Sequence, residues 1–288
     1  MRTGTILETG SKPVIVGDYT QICSIARAGE VDRIIVALDE RRGKFPLDQL
    51  LSCRLDGIPV EDGLAFTEQL AGKLSVENLH PSVLIFSDGF KRSAIFKQMK
   101  RVFDISASAV GLTLSFPVSL IIALATKLDS RGPIFYQQER VGKDGRIFRL
   151  LKFRSMCVDA EKGGPVWARV DDRRITRVGR MIRKLRLDEI PQMINVFKGE
   201  MSFVGPRPER PFFVEQLKKG IPYYSQRHVI KPGITGWAQI CYRYGASEGD
   251  ALEKLKYDLY YIKHMSLFFD LVIIFETAKI VLWGKGAR

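Results

Sequence analysis

The chain has 288 residues, of which 45% are hydrophobic and 27% charged, so it can bury a core and is not a disordered protein. Its net charge of +13 is uneven, because residues 1–95 carry 11 Lys/Arg against 13 Asp/Glu whereas residues 96–288 carry 34 against 19. We therefore expect only the second part to face an anionic partner, whether nucleic acid, lipid head groups or a phosphorylated substrate.

The cysteines and histidines indicate neither a disulfide framework nor a zinc site. The four cysteines contain no CxxC pair, and their spacing favours free thiols in a reducing compartment. The three histidines are scattered and form no HExxH motif. Residues 1–20 lack the apolar core of a signal peptide, so we expect none.

Short β-branched runs alternate with helical stretches over residues 12–90. We expect strands at 14–16, 33–38, 58–60 and 83–86, and helices ending at residue 28 and covering 46–55 and 63–71. This order predicts an α/β module with a parallel, partial Rossmann-like sheet. No GxGxxG motif follows the first strand, so residues 1–95 are interpreted as a structural or regulatory module rather than a dinucleotide site.

An apolar stretch over residues 102–128 would cross a bilayer as a helix, since about 25 residues span roughly 37 Å. Pro117 should kink or break it, and Asp104 would be costly in contact with lipid. Cations flank both ends, whereas a simple span favours positive charge on one side: Lys97, Lys100 and Arg101 before it, Lys127 and Arg131 after it. We expect a re-entrant helix that bends at Pro117, where Ser115 helps to satisfy the freed carbonyls. A buried core helix and a straight span are the alternatives.

The remaining elements are expected to form an α+β domain over residues 96–288. We expect a hairpin over 134–156, a basic helix over 173–187, a short helix over 189–198 closed by Gly199, a rigid loop over 202–208, and helices over 247–264 and 267–282. The last helix carries charges along its apolar sequence, so it should lie on the membrane or on the core rather than cross.

The basic helix is followed directly by two acids, Asp188 and Glu189. One face would present Arg173, Arg177, Arg180 and Lys184, with Arg183 and Arg186 beside it. A solvated basic face and a helix N-cap would explain these features separately. Together they suit an ionised Asp188 acting as a nucleophile at a helix start, or an acid pair holding a divalent metal and a diphosphate.

Other cations are candidates for binding phosphate. Lys152 and Arg154 should share one face of the returning hairpin strand, and two prolines should fix Arg207. Arg227 precedes a glycine-containing stretch at 231–237 that permits close approach to a ligand. The assigned phosphate-binding residues are Lys152, Arg154, Arg180, Arg183, Arg207 and Arg227, although each is also explicable as surface charge.

Six ordered motifs resemble one family. They are KRVFD (100–104), the apolar helix with Pro117, KFRSM (152–156), LDEIPQ (187–192), GEMSFVGPRP (199–208) and KPGITGWAQ (231–239). Residues 97–288 are thereby similar to bacterial sugar transferases, the monotopic polyprenyl-phosphate phosphoglycosyltransferases of exopolysaccharide and glycan assembly. The resemblance implies that Asp188 attacks a UDP-sugar and releases UMP, that polyprenyl (undecaprenyl) phosphate accepts the phosphosugar, and that Glu189, with Asp188, holds Mg²⁺.

The resemblance also implies a place in the cell and a set of partners. The helix would be re-entrant in the lipid bilayer of the bacterial cytoplasmic membrane, with the catalytic domain on the cytoplasmic face. Larger members carry spanning helices and a complete Rossmann-like domain first, so we expect a fragment or a shortened form. A homodimer is compatible with this reading, whereas nucleic acid is not expected. A basic nucleic-acid binder and a membrane-anchored regulator are the rival functions.

Overall fold

The computed structural model describes residues 5–6, 14–29, 31–37, 45–76, 89–90, 92–160, 172, 174–242, 245 and 247–282. The strand expected at 83–86 and Arg173 lie outside these residues. The chain divides into two compact units, residues 1–72 and 73–288. By packing, Leu74 and Val76 already belong to the buried core of the second unit, so this division falls before the expected boundary at 95/96.

The first unit contains a parallel strand pair of the expected βαβ type. Its strands are β1 (Thr5–Ile6), β2 (Val14–Ile15), β3 (Ile34–Val36) and β4 (Val60–Asp62), and its helices are α1 (Ile22–Ala28), α2 (Leu47–Leu55) and α3 (Gly63–Ala71). β3 and β4 pair in parallel, with Ile34 opposite Val60. β2 instead pairs antiparallel with β1, so the described strands of this unit form two small sheets rather than a single Rossmann-like one.

The second unit contains one long helix, α4 (Ala94–Asp129), of 36 residues and roughly 54 Å. Among the described residues it is the one helix long and apolar enough to cross a membrane. Only 11% of its most apolar 18-residue stretch is buried. Pro117 lies inside α4, and the helix is not interrupted there. The expected break is therefore not a change of secondary structure, and the re-entrant path stays a prediction.

Two charged residues in the first half of α4, Lys100 and Asp104, contact protein. Asp104 is 2% exposed and accepts hydrogen bonds from Ser202 Oγ at 3.0 Å and from the Phe203 backbone N–H at 3.1 Å. Lys100 Nζ lies 2.6 Å from Asp270 Oδ2. The cost expected for Asp104 in contact with lipid does not arise, because protein groups satisfy its carboxylate.

The expected hairpin is confirmed as β5 (Phe135–Val141) and β6 (Ile147–Phe153), which pair antiparallel with Val141 opposite Ile147. Its turn has left-handed backbone at Asp144 (φ 55°) and Gly145 (φ 76°), a conformation that Asp and Gly tolerate well. Lys152 is the last residue but one of β6, at the end of the strand far from the turn. The hairpin thus positions a residue that is predicted to bind phosphate.

The segment around the acid pair differs from expectation in its boundaries. The basic helix is only α5 (Arg177–Lys184), since the Thr176 hydroxyl caps it by accepting from the Gly179 N–H at 2.9 Å. A 3₁₀ turn (Leu187–Glu189) precedes α6 (Gln192–Lys198). Pro191 is the N-cap of α6, so the helix begins at Gln192 rather than at Glu189 as expected. Gly199, at φ 89°, ends α6 as expected.

The expected loop at 202–208 begins as a strand. β7 (Ser202–Val204) pairs in parallel with β8 (Gly233–Thr235), which brings the Arg207 segment beside the 231–239 motif. The remaining helices are α7 (Pro211–Gly220), α8 (Trp237–Cys241), α9 (Glu248–His264) and α10 (Leu267–Leu282), with a 3₁₀ turn at Tyr224–His228. Ser247 and Asp250 form a capping box at the start of α9, which confirms the predicted boundary.

Candidate active site

The two predicted acids lie together in the 3₁₀ turn between α5 and α6. Arg186 enters this turn with left-handed backbone, φ 55°, which is uncommon for a residue other than glycine. Asp188 is 8% exposed and Glu189 is 9% exposed, so both carboxylates are largely removed from water. Buried charge of one sign is costly unless cations or hydrogen-bond donors compensate it, and the two acids differ in that respect.

Glu189 is held by two cations. Lys152 Nζ lies 2.8 Å from Glu189 Oε1, and Arg207 Nη2 donates to the same oxygen at 3.1 Å. Burial by itself would raise the pKa of Glu189, but the charges of Lys152 and Arg207 and the hydrogen bond from Lys152 lower it well below its usual range. Glu189 is therefore a fixed anion that joins the hairpin to the Arg207 segment.

Asp188 has the opposite character. Burial raises its pKa above the usual value, with Glu189 adding to the rise and the charges of Lys152 and Arg183 opposing it. Nothing in the described part of the chain donates a hydrogen bond to its carboxylate. The cations beside the acid pair are expected to keep Asp188 ionised. Burial opposes them by raising this pKa, and two of the cations are engaged by Glu189, so the ionised state of Asp188 stays a prediction.

Two residues that the sequence analysis did not single out hold the cations in place. The Asn195 side chain accepts from the Leu151 N–H at 3.0 Å and donates to the Arg149 carbonyl at 2.8 Å, which fixes β6 beside α6. Gln239 Oε1 accepts from Arg207 Nη1 at 2.9 Å. Gln239 is the last residue of the KPGITGWAQ motif, so the motif could have indicated it as a site residue. No local sequence pattern indicated Asn195.

Arg227 does not reach the acid pair. It is buried in an ion pair with Asp258, with Nη2 at 2.7 Å from Oδ2, and its Nη1 donates to the Tyr224 hydroxyl at 2.7 Å. Nη2 also donates to the Arg207 carbonyl at 3.1 Å. Arg227 stabilises the Arg207 backbone through this bond, and its side chain donates to Asp258, Tyr224 and the Arg207 carbonyl. A direct contact between Arg227 and phosphate stays a prediction.

Arg154 is likewise a buried structural contact in this conformation. It is 4% exposed, and its Nη2 donates to the carbonyls of Thr126 at 3.3 Å and Ser130 at 2.7 Å, at the end of α4. β6 ends at Phe153, so the alternation expected to place Arg154 beside Lys152 does not extend that far. Within the described residues, Nε and Nη1 of Arg154 have no hydrogen-bond partner.

The predicted cations of α5 separate by exposure. Arg180 is exposed, as are Arg177 and Lys184, whereas Arg183 is half-buried. The charge of Arg183 lowers the pKa of Asp188, so its field reaches the carboxylate. The structure thus brings Lys152, Arg207 and Arg183 to the acid pair, and leaves Arg180 in solvent, where it can contact a ligand only from outside.

A metal ion at this site would have few protein ligands. No group of three or more His, Cys, Asp or Glu side chains suited to a metal occurs among the described residues. Mg²⁺ is commonly bound through one or two carboxylates, with substrate phosphates and water completing its shell. Asp188 and the second oxygen of Glu189 fit that pattern, because neither is hydrogen-bonded by the described residues.

Comparison with known proteins supports the reading of these motifs. A family model described as bacterial sugar transferase matches residues 95–284. The UDP-N-acetylgalactosamine-undecaprenyl-phosphate N-acetylgalactosaminephosphotransferase of Aeromonas hydrophila is 44% identical over 83% of this chain and 56% of its own length. The UDP-glucose:undecaprenyl-phosphate glucose-1-phosphate transferase of Escherichia coli K12 is 38% identical over 91% of this chain and 57% of its own length.

A shorter relative is matched over most of its own length. The uncharacterized sugar transferase EpsL of Bacillus subtilis is 38% identical over 66% of this chain and 90% of its own length. The chain spans about half the length of the first two relatives. The match over residues 95–284 covers the long helix, the hairpin, the acid pair and the Arg207 segment, and on this ground the chain belongs to the bacterial sugar transferase family.

Proposed function

We propose that this chain transfers a sugar phosphate from a UDP-sugar to polyprenyl (undecaprenyl) phosphate, with release of UMP. The observation that carries the proposal is the contrast between Glu189, fixed by Lys152 and Arg207, and Asp188, a buried carboxylate that receives no hydrogen bond from the described residues. A nucleophile needs free lone pairs and little solvation, whereas an anchor needs bound cations. The names of the relatives, which act on UDP-sugars and undecaprenyl phosphate, agree with these substrates.

In the first step, a carboxylate oxygen of Asp188 attacks the sugar-proximal phosphorus of the UDP-sugar. The bond between that phosphorus and the bridging oxygen breaks, and UMP leaves with the oxygen and its electron pair. The product on the protein is an aspartyl-phosphosugar, an acyl phosphate. Lys152, Arg207 and Arg183 lie close enough to the acids to offset the negative charge of the diphosphate, which is how proteins stabilise phosphoryl transfer.

In the second step, an oxygen of polyprenyl phosphate attacks the same phosphorus. The bond between phosphorus and the Asp188 oxygen breaks, the carboxylate is regenerated, and the sugar leaves on a polyprenyl diphosphate. Both steps use the same cations, because the charge on the transferred phosphoryl group is similar in each.

We propose Mg²⁺ as the cofactor, held by Asp188 and the second oxygen of Glu189 together with substrate phosphates. When bound, it would neutralise charge on the diphosphate. Glu189→Gln should then lose UMP release and Mg²⁺ dependence together. Full stimulation of this variant by Mg²⁺ would contradict the assignment, and loss of activity without any change in Mg²⁺ dependence would leave Glu189 as a purely electrostatic anchor.

We also propose that α4 is re-entrant in the cytoplasmic membrane, with the acid pair on the cytoplasmic face. Support comes from both ends of the helix. Asp104 bonds to Ser202 and Phe203, while near the other end Asp129 accepts from the Val178 N–H at 3.0 Å, so both ends are bound to the same folded unit. A helix that crossed the bilayer would separate its two ends by the hydrocarbon core, which is about 30 Å thick.

Topology is tested by cysteine labelling from outside intact cells with an impermeant reagent. We expect no labelling of cysteines introduced at residues 98 and 131, because both ends are cytoplasmic. Pro117→Leu should let part of the population span, since a straightened helix loses the kink that turns it back. Labelling of either site in the otherwise unchanged protein would overturn the re-entrant path.

The reaction is tested by incubating the purified full chain with Mg²⁺, undecaprenyl phosphate and a panel of UDP-sugars, with UMP as the readout. We expect UMP release with at least one sugar and strict dependence on Asp188. Asp144→Asn is a matched control, because Asp144 is an exposed turn residue with left-handed backbone that asparagine also tolerates. Equal UMP release by Asp188→Asn and by the control would overturn the proposal.

A further inference from the structure

Two cysteines of the first unit meet although they are distant in the sequence. Cys23 lies on α1 and Cys53 on α2, and their sulfurs are 2.6 Å apart. Non-bonded heavy atoms pack at about 3.5–4.0 Å, and a disulfide bond is about 2.05 Å long. The two thiols therefore lie nearer to bonding distance than to ordinary packing, a proximity that their spacing in the sequence did not indicate.

The pair lies in the small core of this unit. Cys53 is fully buried and Cys23 is 7% exposed, and they pack with Ala26 and the partly buried side chains of Ile34 and Ile58. At the edge of this core, Arg27 Nε donates to Asp56 Oδ2 at 3.0 Å, and the same carboxylate oxygen lies 3.9 Å from Cys23 Sγ. α1 and α2 are thus fixed side by side with both sulfurs between them.

The surroundings keep the reduced pair unreactive. Burial, together with the contact to Cys23, raises the pKa of the Cys53 thiol to about 11, so little thiolate forms at neutral pH. The thiolate is the species that attacks a disulfide. Oxidation of the two cysteines should therefore be slow. The reduced form should persist in a reducing compartment, and it should react only when local opening exposes the sulfurs to an oxidant.

We propose that Cys23 and Cys53 form a redox-modification site, in which an intramolecular disulfide links α1 to α2. The oxidant is a low-molecular-weight disulfide of the glutathione class. The thiolate of one cysteine attacks a sulfur of the oxidant and expels one thiol, giving a mixed disulfide. The second cysteine then attacks the protein sulfur of that mixed disulfide and expels the second thiol. Two protein thiols are oxidised, one small disulfide is reduced to two thiols, and the two protons lost by the cysteines are taken up by the released thiolates.

The disulfide would restrain the first unit. It closes the chain between residues 23 and 53 and removes conformational freedom from the unfolded state of that segment. Trypsin cleavage after Arg27 and Arg33 should therefore slow when the pair is oxidised, because cleavage requires local opening. Cleavage after the exposed Arg146 of the hairpin turn should be unchanged, since that site lies outside the linked segment.

The test maps the four thiols in the full chain before and after incubation with oxidised glutathione. After oxidation the protein is unfolded, alkylated and digested, and the peptides are identified by mass spectrometry. We expect the Cys23 and Cys53 peptides to be recovered linked, and to separate again after reduction with dithiothreitol. The exposed Cys157 and Cys241 serve as internal controls and should not be linked to either.

Two variants sharpen the result. Cys53→Ser should abolish the linked peptide, whereas Cys157→Ser should leave it intact. If the unchanged protein yields Cys23 and Cys53 both alkylated after oxidation, or linked to Cys157 or Cys241 instead, the proposal is wrong. This readout does not depend on transferase activity, and the mapping of the unchanged protein does not depend on whether Cys53→Ser folds.

Discussion

Two buried charge clusters of the second unit use similar residues in different ways. Beneath α4, the Asp270 side chain is completely buried and accepts from Lys100 Nζ and from the Tyr261 hydroxyl, each at 2.6 Å. At the acid pair, Glu189 binds two cations that retain some exposure, 19% for the Lys152 side chain and 34% for that of Arg207. In the first cluster the acid is fully buried and the Lys100 side chain is 13% exposed, so this cluster is more closed to solvent than the second, which is open chiefly at Arg207.

The difference is the one expected between a structural cluster and the proposed binding site. In the closed cluster the donors of Lys100 and Tyr261 are directed at protein acceptors, so the charges offset each other's desolvation. In the open cluster an unbonded carboxylate, Asp188, lies beside cations that still reach water. Surplus cations next to a free acid are costly unless a ligand supplies further negative charge, which is what a nucleotide diphosphate would do.

The largest expected effect comes from Asp188→Asn. Removal of a nucleophile lowers turnover by roughly 10⁴-fold or more, since the remaining groups only bind and orient. UMP release under saturating substrate measures this loss. The fold should survive, because no described group donates to the Asp188 carboxylate, and a far-UV circular dichroism spectrum matching that of Asp144→Asn would establish it. Loss of less than tenfold would show that Asp188 is not the nucleophile.

Breaking the closed cluster should instead cost stability. Asp270→Asn leaves the 13%-exposed Lys100 without its counter-charge, and removing one partner of a buried ion pair destabilises a protein by about 3–5 kcal/mol. Thermal unfolding of the purified chain measures it, with Lys97→Met as the control at an exposed cation on the same helix. The double variant Lys100→Met/Asp270→Leu should recover part of the loss. A normal melting temperature for Asp270→Asn would mean that the cluster contributes little.

Arg207→Ala should raise the barrier to UMP release by the value of one charge-assisted contact, roughly 1.5–3 kcal/mol or about tenfold to 150-fold in rate. Arg207→Lys should not restore full activity, because an ammonium cannot contact both Gln239 and Glu189 as the planar guanidinium does. Arg146→Ala, in the exposed hairpin turn, is the control. Full activity of Arg207→Lys would show that only charge matters at this position.

The smallest effect concerns pH. Burial raises the pKa of Asp188. As the pH is lowered, UMP release should therefore begin to fall at a higher pH than the pKa of an ordinary aspartate, which is about 3.9. The same shift makes ionised Asp188 destabilising in the folded state, so Asp188→Asn should be more stable than the unchanged protein at neutral pH. This advantage should shrink as the pH falls through the folded-state pKa. An unchanged or reversed order of melting temperatures would contradict the shift.

Local patterns in the sequence predicted the elements that depend on local causes. The hairpin around Asp144 and Gly145 and the capped helix α9 were placed nearly to the residue, since turn and cap chemistry lies within a few positions. The sequence also indicated Asp188 and Glu189 as candidate site residues, because cations precede them and a family motif contains them. The shortened α5 was missed because charge spacing does not show where the Thr176 cap begins a helix.

Contacts between distant segments could not be predicted in this way. Arg154 and Arg227 are predicted to bind phosphate, and the protein acceptors that they contact lie on other elements, at Thr126 and Ser130 for the first and Asp258 for the second. Any arginine in a motif has the same local signature whether its partner is a ligand or a buried carboxylate. The burial that raises the pKa of Asp188 could not be predicted for a related reason, since it depends on the packing of the whole unit.

The measurement that tests the central claim most directly is a trapping experiment without acceptor. The full chain is incubated with Mg²⁺ and a UDP-sugar labelled with ³²P in the sugar-proximal phosphate, in the absence of polyprenyl phosphate, and the labelled peptide is then identified. We predict that label is retained on the peptide containing Asp188, is released by hydroxylamine as expected of an acyl phosphate, and is lost when undecaprenyl phosphate is added. Turnover of the complete system without any labelled protein, or equal labelling of Asp188→Asn, would contradict the account.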